Sequence, residues 1–362
     1  MRVARPLLTV AALLLAVACS DESSNEGGPF GPETEPDVSQ SPLSTITVMT
    51  RNMYVGADVD AVIAALVTPD PADDQAALVA AIMTLQETAY PARAAAIADE
   101  IAGARPHVVG LQEVSRVDIS LPPLGVEVHL DFLPTLLAEL GARGLHYVVA
   151  ATVRNIEAAP FAGVSLIDED VLLVDPERVE VHGTDARRFS ANIGPVAPGV
   201  VLARGWVSAS VTVDGRTYTV ASTHLESGDV PGLDQLRAAQ ALELAGALSG
   251  ATPAILVGDL NDVPGSPMYQ VLSGAGFSDV WAELQGAAVG HTCCHEPDLS
   301  NQVKQFDERI DYVLVRDSAP VKGRIRLVGE VPADQVTDPT HRLWPSDHAG
   351  LIARLFTLGE TP

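Results

Sequence analysis

The chain has 362 residues, 47% of them hydrophobic and 19% charged, which is enough to fold around one large core or two modest ones. Asp and Glu number 47 against 22 Lys and Arg, a formal charge of -25, so the mean field repels polyanions and argues against a basic, groove-hugging nucleic-acid binder; a small or metal-neutralised phosphate substrate stays admissible. Three cysteines, Cys19, Cys293 and Cys294, exclude a disulfide framework, so the core must carry the fold.

The first segment reads as an export signal: Arg2 and Arg5, the apolar run PLLTVAALLLAVA, then Cys19. That run is too short for a comfortable transmembrane helix. AVAC resembles a bacterial lipoprotein signal, which predicts removal of residues 1–18 and lipidation of Cys19; ordinary cleavage beside an unmodified cysteine is the alternative. Residues 19–44, rich in Ser, Glu, Gly and Pro, cannot bury a core and are read as a flexible acidic tether. The folded domain is expected over residues 45–362.

Within it, TITVMTRNM alternates at period two, as a half-buried strand does. Asp73 to Gly103 carries helical spacing with a break at Pro91 and leads to HVVGLQEV, a strand ending in Gln112 and Glu113. Further strands are predicted at EDVLLVD, ARGWVSASVTV, YTVASTHL, AILVGDLN, RIDYVLV and GLIARLF, with a hairpin turn at Asp214-Gly215. Helices are predicted at Leu130 to Gly141, Leu233 to Leu248 and Pro267 to Ser273. Alternating helices and strands together with hairpins favour an α/β domain with mixed sheets over a purely parallel one, and no GxGxxG or GxxxxGK[ST] phosphate loop occurs.

The apolar strands end in polar residues of one chemical kind. Asn52, Glu113, His224, Asp259 and Asn261 close strands; Asp311 opens one, and Asp347 and His348 introduce the last. Meeting at one edge, they form a hard, oxygen-rich set suited to Mg²⁺ or Mn²⁺. The motifs QE, STHLES, GDLND, RIDYVL and SDHAG, in this order, resemble the endonuclease/exonuclease/phosphatase superfamily with its deoxyribonuclease I-like fold, over about Thr45 to Phe356.

That resemblance implies a four-layer α/β sandwich of two packed mixed β-sheets and a metal-dependent phosphoesterase that attacks a phosphomono- or phosphodiester with water. It implies Glu113 as principal metal ligand, with Asn52 beside it and Asp347 in the metal or leaving-group shell. Asp259 would orient or deprotonate the water, and Asn261 would hold the phosphate. His348, paired with Asp311, would sit at the scissile phosphate, and His224 would stabilise phosphoryl oxygens. Arg51, in TRNM, departs from the aromatic or small residue common there.

Asp262, Asp58, Asp60, His107 and His129 are read as turn or structural residues. HTCCHEPD places His291, Cys293, Cys294 and His295 too tightly for four side chains to converge on one tetrahedral ion, and a vicinal Cys293–Cys294 disulfide is the other reading. The expected protein is monomeric, exported and lipid-anchored at the bacterial cell envelope, acting on a small phosphoester or phospholipid head group. A nuclease, and a catalytically silent binding module on the same fold, remain the alternatives; a cysteine-based redox or zinc protein is a third.

Overall fold

In the computed structural model, which describes residues 43–68, 70–337 and 342–358, the chain begins with β1 (Leu43–Asn52), α1 (Val59–Leu66), α2 (Pro71–Glu87) and α3 (Tyr90–Ala104). It continues through β2 (Val108–Leu121), β3 (Val126–Asp131), α4 (Phe132–Ala142), β4 (Val148–Phe161), β5 (Val164–Val174), β6 (Glu180–Arg188), β7 (Gly194–Ala197) and β8 (Val200–Leu202). Next come β9 (Gly205–Val213), β10 (Arg216–His224), α5 (Leu233–Ala247), β11 (Ala254–Asp259), α6 (Pro267–Gly274), β12 (Ser278–Asp279) and α7 (Val280–Gln285). The chain closes with β13 (Asp311–Arg316), β14 (Gly323–Val328), β15 (Val336–Thr337), β16 (Arg342–Leu343) and β17 (Gly350–Leu358). The export signal, the tether and Cys19 lie outside the described residues. No described helix is long and apolar enough to cross a membrane.

Two mixed sheets form. The nine-stranded one runs β14-β17-β1-β2-β5-β4-β8-β7 with β3 beside β2; the six-stranded one runs β12-β13-β11-β10-β9-β6. They share a core of Val48, Val108, Leu172, Val220, Ile255, Val257, Val313 and Leu351. On the far face of the smaller sheet, Ala221, Leu256 and Leu260 pack with Ala241 and Leu244 of α5 and Met268 and Leu272 of α6. On the far face of the larger one Arg51 meets Glu100 of α3, and α3 holds α4 through stacked Tyr90 and Phe132 rings 3.5 Å apart. Helices, sheet, sheet and helices make the four-layer α/β sandwich.

Alternation then decides what becomes core and what becomes site, since successive strand side chains face opposite ways. On β1, Ile46 and Val48 face the shared core, so Asn52 does too, while Arg51 faces α3. On β10 Tyr218 and Val220 put His224 on that face; on β11 Ile255 and Val257 do the same for Asp259; on β13 Val313 and Val315 do so for Asp311. The sheets come close at Gly110, where a Cβ would stand 2.5 Å from Ser222 Oγ and 2.6 Å from Val257 Cγ2. Gln112 ties them there: it accepts from Thr50 Oγ1 at 3.0 Å and donates to Ser222 Oγ at 2.9 Å.

Three local expectations are corrected. The helical break falls at Thr88 and Ala89, and Pro91 sits in the first turn of α3, where its missing N–H costs nothing. Strand β3 claims Leu130 and Asp131, so α4 starts at Phe132. Glu113 does not end its strand: β2 runs on to Leu121, and its register against β5 shifts between Leu111 and Val114, with Glu113 at φ 55°. By contrast, the turn at Asp214-Gly215 joins β9 to β10 with φ positive at both residues, as a tight hairpin requires.

His107 sits just before β2 with Nδ1 accepting from the Thr47 N–H at 2.9 Å. Burial, then the Arg178 charge, lowers its pKa from 6.5 to about 4. Between those values the unfolded chain binds the proton and the folded chain does not, so the His107 contribution to stability is full above pH 6.5 and is lost as pH falls toward 4. Thermal melts over this range are expected to show a falling midpoint, with a shallower slope in His107→Gln; an unchanged slope would contradict this role.

Candidate active site

Strand register sets the first row of the site. Parallel β10 and β11 pair His224 with Asp259, and antiparallel β11 and β13 pair Asp259 with Asp311, so three chemically active side chains stand side by side on the core-facing edge. His348 arrives on the segment before β17, and its Nδ1 lies 2.9 Å from Asp311 Oδ2. A carboxylate only accepts, so Nδ1 carries the proton and Nε2 is left facing the cleft side. Asp259 Oδ2 lies 3.7 Å from His348 Nδ1 and 3.5 Å from His224 Nε2.

The opposite row comes from the larger sheet. The positive φ and register shift at Glu113 form a bulge that re-aims one side chain at a site edge. Glu113 accepts from Asn52 Nδ2 at 2.9 Å and from the Val55 N–H at 2.8 Å. Asn52 Nδ2 also donates to Asp259 Oδ2 at 3.0 Å, so one amide ties the acidic residues of both sheets together. Its Oδ1 already accepts from the Tyr54 N–H, which makes Asn52 a bridge more than an open oxygen ligand. Asn261, at φ 51°, donates from its backbone to Asp259 Oδ1 and from Nδ2 to the Leu225 carbonyl.

These residues meet at a cleft of about 400 Å³ lined by Glu113, His224, Asp259, Asn261, Asp347 and His348 among others. Its electrostatics separate the two histidines. Burial opposes charge on His348, but Asp311, Asp347 and Asp259 together outweigh it and hold its pKa well above the ordinary value. His224 is driven well below by burial and then by Arg204, so it is neutral. Burial, then Asp311, pushes Asp259 up to about 7, against His348 and the hydrogen bonds it accepts. Asp347 is raised to about 6 by burial and by Glu113, with His348 pulling the other way.

The donor set fits a hard cation. Glu113 stands close enough to Asp347 to disfavour the charge of that carboxylate, and Glu113 itself uses only two of about four lone-pair sites. Mg²⁺ needs one or two such carboxylates, with water and substrate oxygens completing its shell.

Several residues at the site either went unremarked in the sequence or, like Arg51 and Asp60, were noted there without a place in the site. Arg51 is buried and donates Nη1 to the His348 carbonyl and Nη2 to Glu100 at 3.0 Å. Arg93 donates to the carbonyls of Met53, Tyr54, Thr88 and Pro345, fixing the loops that follow β1 and precede His348. Arg204, Asp168 and Asp60 also line the cleft; burial pushes Asp168 up to about 7, and Ser115 donates to it. The available signal for Arg93 and Arg204 was their charge inside otherwise apolar segments. Asp262 stays out of the cleft lining and pairs with Arg237 at 3.2 Å. Asp58 caps α1 and also lines the cleft, whereas exposed His129 pairs with Asp118.

A model of the endonuclease/exonuclease/phosphatase family matches residues 52–348. The chain belongs to that family. Among solved structures, an endonuclease/exonuclease/phosphatase family protein of Bacteroides thetaiotaomicron is similar at TM-score 0.57 and 16% identity, over 87% of this chain and 98% of that one. A mannosyl-6-phosphatase of B. thetaiotaomicron VPI-5482 matches at TM-score 0.55 and 16% identity, over 86% and 99%. D. rerio TDP2 complexed with single-strand DNA product matches at 0.52 and 18%, over 87% and 99%. No curated protein sequence matches. At these identities the structural likenesses establish the fold of the family and nothing finer.

Arg51→Met is expected to remove both the carbonyl clamp on His348 and the counter-charge of half-buried Glu100, costing roughly 3–5 kcal/mol. Adding Glu100→Gln should return part of that loss. Urea unfolding of the four proteins in this cycle checks it; additive losses would show that the pair is uncoupled.

Proposed function

We propose that the protein is an exported, divalent-metal-dependent phosphoesterase that hydrolyses its ester by in-line attack of water. The observation that carries this is the Asp311–His348 pair at 2.9 Å, with Asp259 within 3.7 Å of both histidines and tied through Asn52 to Glu113 across the sheets. Phosphoryl transfer asks a protein for positioning and for positive charge around developing anions, and this constellation offers both.

In this reading Asp259 accepts the proton of the attacking water, its raised pKa lying close to what a base needs at neutral pH. His348, kept protonated by Asp311, donates from Nε2 to a phosphoryl oxygen. Neutral His224 and the remaining N–H of Asn261 add donors without adding repulsion. Asn52 orients Glu113 and Asp259. Glu113 and Asp347 are the residues that would hold Mg²⁺, or Mn²⁺ in its place, which supplies charge neutralisation at the phosphate when bound.

The cleft lining favours a small phosphoester or phospholipid head group over DNA or RNA. Arg204 is the one Lys or Arg among the described lining residues, and Glu226 pairs with it at 3.3 Å; Asp58, Asp60, Asp168 and Asp229 lie on the acidic side. The N-terminal pattern supports export and a lipid anchor at Cys19 on the cell envelope, and we take the working unit to be a monomer. Family relatives act on different esters, so an extracytoplasmic nuclease is the second reading.

The test is to assay protein lacking residues 1–19 on p-nitrophenyl phosphate, bis-p-nitrophenyl phosphate, sphingomyelin and plasmid DNA with Mg²⁺, Mn²⁺ or EDTA. Turnover that requires the metal and falls by roughly 10²–10⁴ in Asp311→Asn is expected. Absence of metal-dependent turnover on every ester would favour a silent binding module. Globomycin-sensitive processing and palmitate labelling lost in Cys19→Ala test the anchor.

A further inference from the structure

HTCCHEPD does not gather four ligands on one ion, because its histidines turn elsewhere. His291 Nδ1 faces the Phe306 carbonyl at 3.3 Å, and the His295 ring stacks on Trp344 at 4.2 Å. The cysteines do something else. Joined as a vicinal disulfide, Cys293 and Cys294 line the cleft, and Cys294 Sγ stands 4.0 Å from His348 Nε2, the nitrogen that Asp311 leaves open. The two sulfurs and one nitrogen of His348 all lie within 4.8 Å of one another.

The pair is held in place by more than the bond between the sulfurs. The Cys293 N–H donates to the Glu308 carbonyl at 3.1 Å, and the N–H groups of Asp307 and Glu308 donate to the Cys293 carbonyl. Thr292 accepts from the Ala349 N–H at 2.7 Å, and the His295 N–H donates to the Asp347 carbonyl at 2.9 Å. The segment is therefore stitched by main-chain bonds to the loop that leads into β13 at Asp311 on one side and to the His348 segment on the other. Breaking the disulfide leaves this scaffold, and both sulfurs, beside the histidine.

We propose that, once reduced, Cys293 and Cys294 chelate one thiophilic cation such as Zn²⁺ together with His348 Nε2, and that this second, soft site shuts the phosphoester site. The ligand chemistry separates the two. Glu113 and Asp347 offer only oxygen, which suits Mg²⁺; two thiolates and an imidazole suit Zn²⁺, with one position left for water. Asp311 bonded to Nδ1 leaves Nε2 as the nitrogen that gives up its proton to take the ion, a carboxylate–histidine arrangement common behind zinc ligands. Exposed Cys294 gives the ion its way in, while Cys293 is buried.

The chemistry closes as follows. A water-soluble phosphine attacks one sulfur and breaks the S–S bond; the phosphine is oxidised to its oxide with oxygen from water, and the disulfide takes two electrons and two protons to become two thiols. Zinc binding then releases both thiol protons, with any proton on His348 Nε2, as two Zn–S bonds and one Zn–N bond form. The ion occupies the nitrogen that the proposed mechanism points at the phosphate, so the blocking effect rests on the phosphoesterase reading, whereas the zinc site itself does not.

The experiment compares oxidised and phosphine-reduced protein at one fixed Zn²⁺ concentration, with zinc stoichiometry read by native mass spectrometry and turnover of bis-p-nitrophenyl phosphate read in excess Mg²⁺. One additional zinc per reduced chain is expected, with at least tenfold more inhibition than in the oxidised chain, and both effects should vanish in Cys294→Ser. Equal zinc content in the two redox states would overturn the site. Extra zinc with equal turnover would overturn the block. Absence of turnover in both states without zinc would count against the phosphoesterase reading, and the zinc stoichiometry would still decide the site.

Discussion

Everything at the site depends on one constraint, the register of three strands in the smaller sheet. His224, Asp259 and Asp311 are register neighbours across β10, β11 and β13, on the face whose preceding residues build the shared core. A slip of one residue in any pairing would turn that side chain away from the cleft and expel its apolar neighbours from the core. The same alternation therefore specifies the packing and the chemistry. Hydrophobic burial between the sheets is what keeps three costly polar groups at the edge of a dry interior.

Two of the charges that position this row are themselves buried. Arg51 reaches the His348 carbonyl from the helical side of the larger sheet, and Arg93 gathers three carbonyls from the loops around Asn52 and Pro345 and a fourth from Thr88 between α2 and α3. A guanidinium presents five donors in a rigid fork, so it can fix several main-chain segments at once where a lysine would fix one. The cost of burying it is offset by those bonds and, for Arg51, by Glu100. Loops that carry Asn52, Asp347 and His348 are thus held from behind by groups that never reach the cleft.

The fold class was legible because β1, β10, β11, β13 and the first half of β2 are apolar strands, and because five ordered motifs carried the family resemblance. The edge of the larger sheet was not. Nor was the edge of the smaller one: β7, at the edge of the larger sheet, and β6, at the edge of the smaller, bury little, so their sequences carry weak periodicity, and they are strands through pairing alone. Glu113 was found but misplaced: a bulge is a matter of partner register, which a single strand's sequence does not contain. Arg51 was visible only as a departure from the family pattern, since its partner Glu100 lies in a helix 49 residues away. The residues expected at the site, Asn52, Glu113, His224, Asp259, Asn261, Asp311, Asp347 and His348, share one neighbourhood; the geometry assigns Asn52 a bridging position because its carbonyl oxygen is taken by Tyr54.

The central claim is that residues from both sheets form one site for a divalent cation and a phosphate. A crystal structure grown with Mn²⁺ and inorganic phosphate tests it most directly. The account predicts manganese anomalous density beside Glu113 and Asp347, with the phosphate between that ion and His224, Asn261 and His348. Manganese bound away from Glu113, or phosphate outside this cleft, would contradict it.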